Sequence, residues 1–251
     1  MAERSAAGRR FIEETKFGHF PPSDQMLGRV QPPLERPHRG EGVALPSPSD
    51  ATIDDIPLVD AIARRRSVRD YLMTKMSKET LSFLLWCSQG VQSVAGTEWT
   101  FRTVPSAGAR HALETFLLLN TVEGIEPGLY HYSALSHRLF RVMGPSDPAT
   151  EIYDACLGQP MVRDAAAVFL WAADIERMAW RYGERGYRYI FIDAGHACQN
   201  LYLGAEAVRC GVCAIGAFDD DALNAVLGLD GENAFVIYAA TVGPAPPGSP
   251  S

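Results

Sequence analysis

The chain has 251 residues, 47% apolar and 21% charged, with a formal net charge of −7. That length holds one good hydrophobic core with tails, and the acidic balance argues against a nucleic-acid surface, which needs a basic face. No run of eighteen apolar residues exists to span a bilayer, and MAERSAAGRRFIEE lacks the apolar stretch of a secretory signal, so a cytoplasmic protein is expected.

Seven of the seventeen prolines lie in residues 1–50 and four more in 244–250. This predicts an extended N-terminal arm over 1–52, a core over 53–243 and a flexible tail over 244–251. Phe11, Phe17, Phe20, Met26 and Leu27 give the arm something to bury, against the core or a neighbouring subunit. Pro57–Ala63 reads as a short helix running into Arg64-Arg65-Arg66-Ser67-Val68-Arg69, and Ser77 caps a second helix over 78–89. Residues 99–104 are strand-like and lead into Pro105-Ser106-Ala107-Gly108. Residues 113–122, 129–132 and 138–142 follow as antiparallel strands.

Asp147–Leu157 reads as a helix and the apolar run 166–172 as a buried strand. Ile175–Tyr182 is the next helix. Gly186–Arg209 then has apolar residues at helical spacing, interrupted chiefly by Asp193, His196, Gln199 and Asn200. About 24 residues give a rod of roughly 36 Å that asks for burial in a core or against a second subunit, with Gly211 expected as its left-handed cap. Asp193, His196 and Asn200 form one polar stripe, either a core hydrogen-bond network or the support of a site. Residues 212–218 and 234–242 close the pattern as strands, with Asp219-Asp220-Asp221 opening a helix between them. Strands and helices do not alternate as βαβ units, so the fold class is α+β.

Several stretches could carry chemistry. The arginine knot at 64–69 is either a phosphate clamp or a solvated helix end. The loops 105–109 and 214–219 bring small residues near a ligand or make plain turns. Cys210 and Cys213 form a C-x-x-C, but it closes a helix instead of opening one. His196 and Cys198 point about 200° apart on their helix, so buried thiols are expected in place of a metal or dithiol centre. The phosphate-loop, dinucleotide and serine-elbow motifs are all missing.

Arg65-Arg66-Ser67-Val68-Arg69-Asp70-Tyr71, Pro105-Ser106-Ala107-Gly108 and Gly195-His196-Ala197-Cys198-Gln199-Asn200-Leu201 together resemble a nitroreductase-like FMN flavoprotein. More specifically they are similar to the SagB-type dehydrogenases of thiazole/oxazole-modified peptide pathways. The likeness runs from Phe11-Ile12-Glu13-Glu14-Thr15-Lys16 through Gly128-Leu129-Tyr130-His131-Tyr132 to Gly216-Ala217-Phe218-Asp219-Asp220. It implies a nitroreductase-like α+β fold with a mainly antiparallel sheet. It also implies a homodimer with its long helix at the centre and FMN at the subunit interface. Arg65, Arg66, Ser67 and Arg69 would hold the phosphate and ribityl end, Pro105 and Ser106 of the partner would approach the ring, and Ile215 and Gly216 would lie near N5.

The implied activity is oxidation of an azoline-like heterocycle or similar peptidyl intermediate by hydride transfer to flavin N5, with electrons passing to oxygen. In the azoline-oxidising members a Lys-Tyr pair precedes an R-x-Y-R segment. Here Arg181-Tyr182 precedes Arg185-Gly186-Tyr187-Arg188. Arginine stays protonated, so Tyr182 is the expected acid/base and Arg181 an electrostatic helper. A nitro- or quinone-reductase using NAD(P)H on the same flavin is a second reading, and a flavin-free scaffold of a biosynthetic complex a third.

Overall fold

The computed structural model describes residues 6–246. Residues 1–5 of the arm and 247–251 of the tail lie outside the described residues. In chain order the elements are α1 (Ala6–Glu14), β1 (Val43–Ala44), α2 (Leu58–Arg64), α3 (Lys78–Gln89), β2 (Val91–Ala95) and β3 (Trp99–Arg102). Then come β4 (Leu113–Leu119), β5 (Gly128–Ser133), β6 (Arg138–Arg141), α4 (Pro148–Ala155), α5 (Met161–Asp164) and β7 (Ala167–Asp174). The chain closes with α6 (Ile175–Tyr182), α7 (Gly186–Ala207), β8 (Cys210–Ile215), α8 (Asp220–Leu227) and β9 (Ala234–Pro244).

Seven strands form one sheet in the order β1-β6-β5-β4-β7-β9-β8, every neighbouring pair antiparallel. Successive side chains of a strand point to opposite faces, which sorts the central strands cleanly. Leu113, Leu117, Phe169, Trp171 and Val242 join the core beneath α3 and α7. Phe116, Leu118, Val168, Leu170 and Val236 join a second core beneath α4, α5 and α8. Helices cover both faces, which is why the run 166–172 is apolar without alternation.

Local chemistry sets the ends of the helices. Ser77 accepts from the Thr80 amide at 3.0 Å to start α3, and Asp219 accepts from the Ala222 amide at 2.9 Å to start α8. Gly183 has φ 54 and ψ −142, a conformation essentially reserved for glycine, so α6 stops at Tyr182 before a 3₁₀ turn leads into α7.

Two expectations are corrected. Gly211 does not cap α7: the left-handed residue is Arg209, at φ 54, and Gly211 is already inside β8. Arg209 is held there by a two-pronged ion pair with Asp54, at 2.7 and 2.9 Å. The arm is not extended throughout, since Ala6–Glu14 is helical. The strand read at 99–104 is β3, paired with β2 in a hairpin not expected from the sequence. Within one chain α7 is buried on one face, with Phe191 and Ile192 each 53% exposed.

Gly211 has another purpose. It pairs with Gly243 across β8 and β9, and the two form a bare patch over which the arginine-rich segment passes. A methyl group on Gly211 would lie 2.6 Å from Val68 Cβ, and one on Gly243 would lie 2.9 Å from the Tyr71 ring. The segment is thereby laid along the sheet edge, with the Val68 amide donating to the Val212 carbonyl at 2.9 Å. Gly211→Ala should cost about 1–3 kcal/mol by overpacking against a stiff β-branched side chain. Urea denaturation of the variant should show that loss.

Candidate active site

The structure gathers the expected residues into two groups, both fixed by α7. In the first, the Ser67 hydroxyl shares a 3.1 Å hydrogen bond with the Tyr202 hydroxyl, which also accepts from the Ala214 amide at 2.8 Å. Arg65 lies over the Tyr202 ring, 5.2 Å from its centroid. Arg69 is exposed and, among the described residues, has neither ion pair nor hydrogen bond. Arg66 differs from its neighbours: its guanidinium donates to the Ala63 and Arg65 carbonyls at 3.0 and 2.9 Å, closing the end of α2. Arg66 thus has the helix-end role, while Arg65 and Arg69 keep their guanidiniums out of any ion pair or hydrogen bond among the described residues.

Ile215 and Gly216 stand at the exit of β8, next to this group. Ile215 is 2% exposed and its side chain belongs to the core, so only its backbone can face a ligand. Gly216 is exposed, with nothing within 4 Å of where a side chain would begin. Unpaired cations beside an open glycine edge fit the phosphate and polar ring edge of a nucleotide-like cofactor.

The second group is built on the loop 105–111. The Ser106 hydroxyl donates to Asp193 at 2.6 Å and accepts from the His111 amide at 2.9 Å, and the Ala107 amide reaches Asp193 at 3.3 Å. Both capacities of the Ser106 hydroxyl are thus spent on holding the loop, while Pro105 is exposed. Burial pushes the Asp193 carboxyl above its usual range, partly offset by these two donors. Gly108 is left-handed, at φ 55, and a methyl group there would strike the Tyr182 hydroxyl and lie 2.8 Å from Arg181 Nε. Tyr182 and Arg181 therefore rest directly on the loop. Tyr182 also meets Tyr189 edge-on, with ring centroids 4.8 Å apart.

The polar stripe of α7 splits by role. Asp193 anchors the loop, Asn200 donates to the Cys87 and Thr103 carbonyls at 3.2 and 3.3 Å, and His196 is exposed. Cys198 is buried on the opposite side from His196. Desolvation pushes the Cys198 and Cys210 thiols up to about 12, far from the thiolate that metal binding or redox exchange needs. The R-x-Y-R arginines hold the arm: Arg185 donates to the Thr15 carbonyl at 3.0 Å and Arg188 to its hydroxyl at 2.5 Å. No sequence motif had linked that segment to Thr15.

A model of the nitroreductase family matches residues 62–244. The chain belongs to that family and is an oxidoreductase of it; FMN is the family's cofactor, and a Desulfovibrio desulfuricans member was solved in complex with it (TM-score 0.54, 19% identity, covering 79% of this chain and 91% of that one). A Methanocaldococcus jannaschii protein named as a nitroreductase is 36% identical over 175 residues, covering 70% of this chain and 86% of that one. The trifolitoxin-processing protein TfxB of Rhizobium leguminosarum is 30% identical over 157 residues, covering 59% of this chain but 42% of its own length. The Escherichia coli microcin synthetase McbBCD, solved with truncated pro-MccB17 bound, covers 94% of this chain and 86% of its own (TM-score 0.62, 20% identity), a likeness of fold.

Loop 105–111 carries a pH-dependent contribution to stability. His111 is 5% exposed and bonded to the Thr100 carbonyl at 3.0 Å; burial, reinforced by Arg102, lowers its pKa from 6.5 to about 3. The folded state therefore refuses a proton that the unfolded chain accepts, so this contribution is full above pH 6.5 and drains away as pH falls toward 3. His111→Gln keeps a donor for Thr100 and removes the titration. Below pH 6.5 the wild-type stability curve should fall more steeply than the variant's, by up to about 1.4 kcal/mol per pH unit, as read by chemical denaturation at stepped pH.

Proposed function

We propose that this chain is an FMN-dependent dehydrogenase of natural-product biosynthesis, of the SagB type, working as a homodimer with its cofactor between two copies. The observation that carries the reading is the separation of the two groups along α7. Asp193, which holds the loop, and Tyr202, which holds Ser67, are nine residues and about 13.5 Å apart on one rod. The face between and beside them is exposed and partly apolar, with Phe191, Ile192, Gly195 and His196 on it. A two-fold partner covering that face would set the arginine grip of one copy against the proline–serine loop of the other.

In this site Arg65, Ser67 and Arg69 hold the phosphate and ribityl end, with Arg66 adding charge from the end of α2. The backbone at Ile215 and Gly216 meets the polar edge of the ring, and Pro105 and Ser106 shape the opposite side. FMN, when bound, supplies the acceptor for a hydride from the substrate carbon. Tyr182 moves the accompanying proton at its hydroxyl, and Arg181 stabilises negative charge developing on the substrate beside it. The natural substrate is an azoline-like heterocycle or a similar peptidyl intermediate, a reading supported by the likeness to TfxB and to the microcin synthetase.

A second reading, an NAD(P)H-dependent nitro- or quinone-reductase on the same flavin, is favoured by the identity to the Methanocaldococcus protein. Nitroaromatic-dependent oxidation of NAD(P)H in steady state would select it. The purified protein should sediment as a dimer and absorb near the flavin maximum. Arg69→Glu should weaken FMN at least about tenfold, since it replaces a charge-assisted donor by a like charge; full occupancy in that variant would remove the phosphate assignment. Tyr182→Phe should bind FMN normally and slow turnover about a hundredfold, the usual size of a general acid/base effect.

A further inference from the structure

Arg110 is 2% exposed and has no carboxylate within ion-pair distance among the described residues. Its Nε donates to the Gly108 carbonyl and its Nη2 to the Glu98 carbonyl, each at 3.2 Å, so its hydrogen bonds go to neutral carbonyls and the Glu98 carboxylate acts on it only from a distance. The guanidinium lies 4.3 Å from the Trp99 ring centroid and 5.3 Å from that of Trp180. Arg181 approaches the same indole, at 5.4 Å, and makes no hydrogen bond or ion pair among the described residues. Two like charges thus share one tryptophan, and burial together with Arg181 lowers the Arg110 pKa. The Tyr182 hydroxyl touches Gly108, whose carbonyl Arg110 holds, so all three side chains converge on one residue.

A buried guanidinium with no carboxylate at ion-pair distance is costly, and a second one beside it adds repulsion. An anion arriving beside the half-buried Arg181 relieves both, and the flat guanidinium fork matches a planar oxyanion. Trp99 holds both cations by its π face; Arg181 keeps its donors unspent among the described residues, and Arg110 keeps Nη1 outside its two carbonyl bonds. Its hairpin is in turn fixed by Gln31, which donates to the Glu98 carbonyl at 2.8 Å.

We propose that Arg110, Arg181 and the Tyr182 hydroxyl form an oxyanion subsite that takes a carboxylate of the substrate. The proposal rests on the placement of the reaction at Tyr182 and gives that reaction an acidic substrate class. Anchored there, the carboxylate holds the reacting carbon against the loop that carries Gly108, and Trp99 is a positioning residue for both arginines.

The test compares benzoate with its uncharged analogue benzamide, titrated into FMN-saturated protein and read by tryptophan fluorescence. Benzoate should bind at least about tenfold more tightly, the range of one charge-assisted hydrogen bond. Arg181→Gln, at a half-buried side chain, should erase that preference, Arg110→Gln should do the same if it folds, and Arg181→Lys should restore part of it. Sodium phosphate should displace benzoate more effectively than sodium chloride at equal ionic strength. Equal affinities for the two probes, a preference that survives Arg181→Gln, or displacement set by ionic strength alone would each overturn the subsite. Because FMN fills the Arg65–Arg69 grip and no turnover is measured, such a failure stays separate from the flavin content of Arg69→Glu and the rate of Tyr182→Phe.

Discussion

Everything at the site is measured out along one helix. α7 lies on the sheet through Ile190, Ala194, Ala197, Leu201 and Ala205, and the polar residues interspersed among them reach sideways to two loops. Asp193 holds the proline–serine loop, and Tyr202 holds Ser67 and the Ala214 amide. A helix of 22 residues is about 33 Å long and rigid once one face is packed, so it fixes both the spacing of these groups and their facing direction. Either group displaced by an ångström would be misplaced for any ligand that must touch both.

Close approach by backbone is the second constraint. Gly211 and Gly243 let the arginine segment lie against the sheet edge, and Gly204 lets α7 sit on α3, where a methyl group would be 2.8 Å from Cys87 Sγ. Gly108 lets Tyr182 and Arg181 rest on their loop. Behind that loop, Glu114 accepts from His131 at 2.7 Å and from the Arg36 amide at 3.0 Å, and pairs with Arg177, whose guanidinium also donates to the Leu34 carbonyl at 3.1 Å. This buried ionic cluster ties the N-terminal arm to the sheet. Breaking one member would strand its partners without water, which is the usual reason such clusters behave as a unit.

Membership of the family gives the fold and the oxidoreductase class, while the proposed reaction turns on the residues resting on loop 105–111. Arg181 is the telling position. With Arg110 it concentrates positive charge within reach of Tyr182. Chemistry that develops or recognises negative charge suits this arrangement better than chemistry that needs a basic amine.

The sequence by itself determined most of the element order, because hydrophobic period and caps are local properties: Lys78–Gln89 and Ile175–Tyr182 form the helices read from their spacing. Order along the chain also carried the family, through Arg65-Arg66-Ser67-Val68-Arg69 and Pro105-Ser106-Ala107-Gly108. Only the tertiary structure decided that Gly211 is a packing surface with Arg209 as the turn, and that Ser106 is a strut. The pairing of Arg110 and Arg181 across Trp99 was equally hidden. The physical reason is the same in each case: these depend on which distant backbone passes within a few ångströms, and residue spacing carries no trace of that.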